Sequence, residues 1–481
     1  MRKTTAWLLI PMLLVALPVA AGEMPSAYND PVPGNVPDTP WWENFHNPEL
    51  TEFIERGLRN SPDVGAARGR IEQADATYWA TMAPVFPHLS FDLSGRLADT
   101  DALTLNSSSS ASRTAATQQS AQQTSSPSLP STYKTGSAML NAQMQVDIFG
   151  KQILATVASH RDAQAALASA QDGSSVLAGQ IASAYFDAVA GKNRLDAINT
   201  QIEANKTLLE LVELRYKAGD ATGLDVLQQR QQLATTQTLL PQARALLEAS
   251  LQQLAVLMGE SPTNPPTIQF AALPTLPPSP ATGVPADLAS NLPALHAAKL
   301  QADSARLYKT SSIMSFFPTL SISGQYGEQG IDIYKWNSKQ TWEVSGLLSI
   351  PLFQGGANLA NYRKAAAGQK IARNNLRREQ LLAVQQVESA RLNERQYRDQ
   401  LEAFRNQLDA ASIAFDQSRS RYLAGLTDYQ SVLTALSAQQ QAELSAIQAH
   451  RNLVGARISL HQALGGAWSR SPLFSTEEFE E

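Results

Sequence analysis

No proline occurs between Lys151 and Leu240 or between Leu352 and Ser471, and all 26 prolines lie outside those two windows. Proline lacks an N–H and its ring clashes with the preceding helical turn, so these windows are free to be helical. In the first, Leu195, Ile198, Ile202, Asn205, Leu209, Val212 and Tyr216 step by three and four; in the second, Leu401, Phe404, Leu408, Ala411 and Phe415 do the same. Such spacing is a coiled-coil seam. A helix from Gln152 to Lys217 would be about 100 Å long at 1.5 Å per residue, and one from Asn358 to Leu423 would match it. Helices of that length cannot be wrapped inside a globular domain. Their Ala, Gln and Leu content leaves polar but weakly charged faces, suited to lateral packing against other helices.

The two windows are copies of one another. Tyr216 and Tyr422, Gly219 and Gly425, Val226 and Val432, Leu227 and Leu433, and Gly259 and Gly465 all keep an offset of 206. Upstream, Pro62 pairs with Pro293 and Pro87 with Pro318 at an offset of 231. A tract rich in Ser, Thr and Gln, from about Asp99 to Thr132, accounts for the added length in the first copy. Duplication of a unit near 200 residues is the organising feature. Each long helix ends in a short glycine-bearing break, "ELRYKAGDATGLDVL" at 213–227 and "RSRYLAGLTDYQSVL" at 419–433. Gly219 and Gly425 can supply the left-handed backbone that a helix reversal uses.

Between these halves the period changes to two. After Pro87, Leu89, Phe91 and Leu93 alternate with Ser90, Asp92 and Ser94; later Leu140, Ala142, Met144, Val146 and Ile148 alternate with Asn141, Gln143, Gln145 and Asp147. The second copy repeats this with Leu320, Ile322 and Tyr326 against Ser321, Ser323 and Gln325. It closes with Trp342, Val344, Leu348 and Ile350 against Glu343, Ser345 and Ser349. Four strands of about ten residues, each with one apolar and one polar face, are expected. A soluble sheet on a core shows such alternation too. Here the helices are occupied by their own seams, and no second layer is available to cover the apolar face. A transmembrane barrel needs this pattern with aromatic girdles. Phe86, Phe149, Phe316, Phe317 and Phe353 mark the helical ends of the strands, and Tyr326, Tyr334, Trp336 and Trp342 the distal side. Four strands cannot close a barrel, so the chain must lend them to an oligomer; a dimer supplies eight with little room, a trimer twelve with space for a channel.

Composition narrows the function. The net charge of -5 offers no basic surface for a nucleic-acid backbone, so no nucleic acid is expected as a partner. Cysteine is absent, which removes disulfides, thiolate metal sites and any lipid attached through an N-terminal cysteine. The start, "MRKTTAWLLIPMLLVALPVAAGEM", has two cations, a short apolar run and small residues up to Ala21, the layout of a cleavable export signal over residues 1–21. The six histidines form no metal-binding spacing, and no nucleophile elbow, phosphate-cradling loop or dinucleotide motif is present. No catalytic residue, cofactor or metal site is expected, and the chain is not read as an enzyme.

The chain resembles the outer membrane factors, the TolC-like channels of tripartite efflux and type I secretion systems. The resemblance covers almost all of the chain after the signal. It rests on the duplicated strand pair and long helix, "WWENFHNPELTEFIERGLRNSPDV", the proline before each hairpin, "VDIFGK", "IPLFQGG" and the two tyrosine-glycine turns. The "WWENF" style looks most like the branch serving resistance-nodulation-division drug pumps, although many members of that branch carry a lipidated N-terminal cysteine that this chain lacks.

The resemblance implies a mainly α protein with a small transmembrane β part. It would be a homotrimer with a twelve-stranded barrel in outer-membrane lipid, four strands per chain, and a long periplasmic α-helical barrel. Along the chain this gives an N-terminal arm (22–47), a first-repeat helix (48–86), a first hairpin (87–149) with the Ser-rich tract as its extracellular loop, and a long helix with its return (150–259). An equatorial linker (260–285) leads to a second helix (286–315), a second hairpin (316–353), a second long pair (354–466) and a tail (467–481). A belt from residues 23–47, 260–285 and the tail would surround the middle. The function implied is passive conduction of drugs or other small toxic compounds, delivered by a periplasmic adaptor and an inner-membrane pump of the resistance-nodulation-division type. The alternatives are an exit duct for type I protein secretion, or a periplasmic coiled-coil adaptor, for which four amphipathic strands have no use.

In the family the helix turns close the tunnel and receive the adaptor. The docking tips here would be Tyr216, Ala218, Gly219, Asp220 and Ala221, with Tyr422, Ala424, Gly425, Leu426 and Thr427. Candidate constriction residues are Asp225, Asp428, Ser431 and Thr434. Asp225 would supply a mild acidic ring, whereas Ser431 and Thr434 lack the charge that other members carry there, and an ordinary capping role competes with the ring for Asp225.

Overall fold

The computed structural model describes residues 24–29, 31–32, 40–99, 132–269, 272–331 and 337–465. The export signal, the Ser-rich tract, Tyr334, Trp336 and the C-terminal tail lie outside the described residues. The chain divides into two units: the first comprises residues 1–74, 162–303 and 371–481, and the second residues 75–161 with 304–370.

Helix α1 (Pro48–Asn60) starts with Pro48 in its first turn and with the Asn47 side chain accepting from Leu50 N–H at 3.1 Å. A single helix was expected over 48–86; instead α1 stops at Ser61, which is extended (ψ 132°), and α2 (Pro62–Met82) starts anew. A residue preceding proline is pushed out of the helical region, and proline is well suited to a first turn. The strands are β1 (His88–Asp99) and β2 (Thr132–Val146), followed by helix α3 (Lys151–Ala218) and its return α4 (Gly223–Leu257). The second copy repeats the break, with α5 (Leu288–Asn291) separated from α6 (Pro293–Met314) by extended Leu292 where one helix was expected over 286–315. Then come β3 (Thr319–Ile331), β4 (Asn337–Ser349), α7 (Ala357–Leu423) and α8 (Tyr429–Leu464). At 68 and 67 residues, α3 and α7 are each about 100 Å long. Helix α4 continues through Pro241, which is exposed, so the carbonyl left unpaired one turn back can bond water.

In the first unit the arm residues Trp41 and Phe45 and α1 residues Leu50, Phe53, Ile54 and Leu58 bury against Ile181, Tyr185, Phe186 and Val189 of α3, Leu254 of α4 and Val454 and Ile458 of α8. The two return helices end alike. Gly259 (φ 76°) lies so close to the Asn60 carbonyl that a Cβ would sit 2.5 Å from its oxygen, and Gly465 (φ 71°) stands in the same relation to the Asn291 carbonyl. Only glycine tolerates both the left-handed backbone and that approach. The pairs Gly259–Asn60 and Gly465–Asn291 show the duplication as geometry.

In the second unit the four strands form one antiparallel sheet in the order β1-β2-β3-β4. Two strands end earlier than the alternation suggested. Past Val146, the Ile148 N–H turns back to the Val146 carbonyl at 3.0 Å and the Asp147 carboxylate accepts from Ile153 N–H at 2.8 Å, so Asp147 and Ile148 belong to the turn that leads into α3. Ile350 likewise falls beyond the end of β4.

Candidate channel wall and helix tips

The sheet separates its two faces by register. One carries Leu89, Phe91 and Leu93 of β1, then Ala138, Leu140 and Ala142 of β2, then Ile322 and Tyr326 of β3, then Trp342, Val344 and Leu348 of β4. Leu140 is paired with Phe91 on one side and Tyr326 on the other, and Tyr326 with Trp342. Leu93, Trp342 and Val344 are each more than two-thirds exposed, so nothing in the described chain covers this face. Tyr326 and Trp342 stand five residues short of the loop ends of their strands, further inside the sheet than a distal girdle requires.

The other face is a polar lattice. Ser94 and Ser137 hydroxyls meet at 2.8 Å, Asn141 donates to Asp92 at 2.6 Å, Ser323 and Ser345 meet at 2.8 Å, and Gln325 donates to Glu343 at 2.6 Å. These bonds cross strands and are all exposed. A sheet with one face apolar and bare, and the other hydrated, matches a wall between lipid and water. Its outer strands β1 and β4 each pair on one side only, so closure needs further copies of the chain.

In the first unit the two helix reversals use the same hydrogen bonds. After α3, Gly219 (φ 83°) donates to the Tyr216 carbonyl at 3.0 Å and Asp220 to that of Arg215 at 2.8 Å; after α7, Gly425 (φ 74°) donates to Tyr422 at 3.0 Å and Leu426 to Arg421 at 2.8 Å. This is the Schellman pattern, a glycine-dependent helix stop. Tyr216, Ala218, Gly219 and Asp220 are exposed, as are Ala424, Gly425 and Leu426, while Ala221 and Thr427 are half-buried.

The tyrosines differ. Tyr216 is 53% exposed, whereas Tyr422 is 6% exposed, with its ring 5.2 Å from that of Tyr429 and the Arg215 guanidinium 4.9 Å above it. Burial is the main cause that raises the Tyr422 and Tyr429 hydroxyl pKa values. Tyr429 donates to Gln229 at 2.6 Å, Gln229 donates to the Asn205 backbone carbonyl at 2.9 Å, and Asn205 donates to Thr236 at 3.1 Å, a buried polar chain across three helices. In the sequence Asn205 stands simply as one member of the seam.

Asp225 forms a capping box at the start of α4: its carboxylate accepts from Thr222 N–H at 2.9 Å, and Thr222 Oγ1 accepts from Asp225 N–H at 3.3 Å. Asp428 is the N-cap of α8, accepting from the Ser431 hydroxyl at 2.6 Å and the Ser431 N–H at 3.0 Å, and these bonds hold its carboxyl below the usual aspartate range. Thr434 turns its hydroxyl onto the Gln430 carbonyl at 2.9 Å.

One cluster escaped the sequence reading altogether. Glu394 of α7 and Arg457 of α8 form an ion pair at 2.7 Å with both side chains 2% exposed. Arg457 also donates to the Pro277 carbonyl at 2.9 Å and the Pro278 carbonyl at 3.3 Å, and Ser279 donates to Glu394 at 2.8 Å. Arg398 reaches Glu394 from the exposed side. One helical turn on, His461 stacks on Trp41 at 5.9 Å. The available signal was Glu394 standing in step with the buried seam residues Val387, Ala390 and Leu401.

An edge-open sheet with a lipid-type face and two glycine-stopped helical hairpins defines one subunit of an oligomeric membrane channel with a helical extension. Residues 53–260 and 284–466 match the model of the outer membrane efflux protein family, and the chain belongs to that family. The pyoverdine export outer membrane protein OpmQ of Pseudomonas aeruginosa is 29% identical over 434 residues, covering 89% of this chain and 87% of that protein. The solvent efflux pump outer membrane protein SrpC of Pseudomonas putida is 25% identical over 452 residues, covering 89% and 87%. Among solved structures, the outer-membrane channel OprN superposes with a TM-score of 0.81 at 23% identity, covering 93% of this chain and 98% of that one. VceC of Vibrio cholerae gives 0.77 at 20% identity, covering 89% and 98%. The chain is an outer-membrane efflux channel reaching into the periplasm. Channels of this family work as trimers with periplasmic adaptors and inner-membrane pumps.

Proposed function

We propose that this channel is the exit of a resistance-nodulation-division pump for small toxic organic compounds, and that it conducts them without catalysis. The names of its relatives, pyoverdine export and solvent efflux, support a small organic cargo. In this reading residues 1–21 are removed on export, residues 23–47, 260–285 and the tail form the equatorial belt, and the Ser-rich tract faces the exterior. The adaptor docks on the tips, at Tyr216, Ala218, Gly219, Asp220 and Ala221 and at Ala424, Gly425, Leu426 and Thr427, while Tyr422, expected among them, is buried against Tyr429 and Arg215 behind the second tip. The observation that carries the docking is the pair of exposed Schellman stops, which offer the same backbone surface twice per chain. Asp225 in three copies supplies a mild acidic constriction, with Asp428, Ser431 and Thr434 beside it as polar lining.

The test is deletion in the native host, followed by a toxic-compound panel and by adaptor crosslinking from cysteines placed singly at Ala218 and Ala424. Hypersensitivity with crosslinks at both tips is expected. An unchanged panel would overturn the cargo reading, and crosslinks confined to other sites would overturn the docking. Asp225→Ala with unaltered single-channel conductance and cation block would remove the acidic ring.

A further inference from the structure

The polar face of the sheet is ordered along its length as well as across it. Among the described residues its charged side chains are Asp92 and Arg96 on β1 and Glu343 and Lys339 on β4, and all four are exposed. His88 is the other titratable group on that face, in the row nearest the helices, facing Gln143. On β1, which runs away from the helices, Asp92 comes before Arg96. On β4, which runs back toward them, Lys339 comes before Glu343. The chain direction reverses and so does the order of signs, so on both strands the acid lies nearer the helical end and the base nearer the hairpin loop.

Register confirms the layering. Glu343 shares a row with Gln325, Asn141 and Ser90, and Asp92 occupies the next row, with Met139, Gly327 and Thr341. Lys339 follows in the row of Gln329, Ser137 and Ser94, and Arg96 in the row of Thr135, Ile331 and Asn337. The carboxylates are fixed in place by the Asn141 and Gln325 amides. Four residues of strand separate acid from base on each strand, about 14 Å at 3.4 Å per residue. On one strand that exceeds the roughly 8 Å Debye length at physiological salt, while the nearest acidic and basic rows, those of Asp92 and Lys339, are two residues or about 7 Å apart along the strands, so a solute meets a graded field that turns from acidic to basic.

We propose that the exit barrel carries two charged rings in series, an inner acidic ring of Asp92 and Glu343 and an outer basic ring of Lys339 and Arg96. A passing solute then meets attraction for cations before attraction for anions. This rests on the reading that the polar face lines the lumen of a trimer. Three copies place six carboxylates and six cationic groups in the two rings. A hydrated wall needs only polar side chains, and Ser, Asn and Gln alone would supply that; the alternating order adds a selectivity element that neutral residues cannot provide.

The chain has no cysteine, so single cysteines report locally. Ser345→Cys stands beside the acidic ring and Thr135→Cys opposite Arg96, while Val344→Cys stands on the apolar face as a control. Each variant, as full-length trimer in proteoliposomes, is treated with methanethiosulfonates carrying either trimethylammonium or sulfonate, and the two labelling rates are compared. At Ser345→Cys the cationic reagent is expected to react about tenfold faster relative to the anionic one than at Thr135→Cys, in line with field effects in confined clefts. Asp92→Asn with Glu343→Gln should abolish the preference at the first site, and Arg96→Gln with Lys339→Gln that at the second; each single substitution should halve it if a pair misfolds. Equal ratios at both cysteines, or ratios that survive neutralisation, would overturn the rings. Labelling at Val344→Cys with none at the other two would instead overturn the lumen assignment.

Discussion

At equivalent places in the two copies, 206 residues apart, Ala188, Leu251 and Ala255 correspond to Glu394, Arg457 and His461. Ala188 and Ala255 are fully buried in an apolar setting; Glu394, Arg457 and His461 are buried as well, yet they hold an ion pair and a ring. The helical scaffold is shared, so the difference must come from what packs on it. In the second copy the proline-rich segment around Pro277 and Pro278 crosses these helices, and its carbonyls need donors. Arg457 supplies them, and Glu394 balances the buried guanidinium. Burying a peptide carbonyl without a partner costs on the order of 1–3 kcal/mol, which an apolar side chain could not offset there. The duplicated core has thus been modified where irregular chain must be bound in one register, a use of buried charge that favours specificity over stability.

The comparison is broken most severely by giving the second copy one residue of the first. Arg457→Leu leaves Glu394 buried with only Arg398 to pair it, and loss of one partner of a buried pair costs about 3–5 kcal/mol. The double variant Glu394→Ala, Arg457→Leu should recover part of that loss. Chemical denaturation of the trimer in detergent measures both; a double variant as unstable as the sum of the singles would mean the two groups are not coupled.

His461 sharpens the same contrast through pH. Burial first, then the nearby Arg457 charge, lower its pKa from 6.5 to about 4, with Glu394 opposing. Trp41 and Phe45, which pack on it from the arm, are uncharged. The unfolded chain takes up a proton below about 6.5 while the folded chain resists until about 4, so stability falls as pH drops through that window, by roughly 3 kcal/mol per chain. Above pH 6.5 this group contributes no slope. Melting curves between pH 7 and 4 should show the decline, and His461→Gln should flatten it; an unaltered slope would assign the effect elsewhere.

Helix lengths, the duplication and the two sheet faces were legible in the sequence because each depends on a local rule: absence of proline, a seam of three and four, alternation of two. The long helices began and ended within a residue of expectation, at Lys151 and Ala218 and at Ala357 and Leu423. The breaks at Ser61 and Leu292 differ from the single helices expected there because a residue before proline leaves the helical region and Pro62 and Pro293 each open a new first turn. The ends of β2 and β4 were overrun because Asp147, Ile148 and Ile350 keep the alternation after the ladder has stopped. The Glu394–Arg457 pair and the Tyr429–Gln229–Asn205–Thr236 chain join residues far apart in sequence, and no local period encodes such partners.

The two reversals extend the comparison to the tips. Tyr429 corresponds to Gly223 in the first copy, so only the second turn inserts an aromatic ring between the hairpins. Tyr429→Phe keeps the ring and removes the donor to buried Gln229, an expected loss of about 1–3 kcal/mol. Gly223→Ala, where a Cβ would meet only the Tyr216 ring at 3.8 Å, should be close to neutral. Hydrogen exchange should place the Tyr429→Phe effect in α4 and α8 around the tips; equal effects from the two substitutions would show that the turns are equivalent after all.

The smallest effect concerns the caps, where the copies have exchanged residues. Thr222 and Asp225 stand as hydroxyl then acid, and Asp428 and Ser431 as acid then hydroxyl, yet each pair satisfies the first turn of its return helix. Thr222→Ala should therefore cost about 1 kcal/mol, as for other lost N-caps. In the second copy the acid is the cap itself, and hydrogen bonds from the Ser431 hydroxyl and then its N–H lower its pKa. The stabilisation is present above the ordinary aspartate value of 3.8 and is lost as pH falls below it. Asp428→Thr with Ser431→Asp would transplant the first arrangement into the second turn, keeping the helix stop while moving the carboxylate three residues along. If capping is the whole role of these residues, unfolding at neutral pH and tip hydrogen exchange should both stay as they were. If the position of the charge also governs passage, single-channel cation block should change while both of those measurements hold constant, separating the cap from the constriction within one variant.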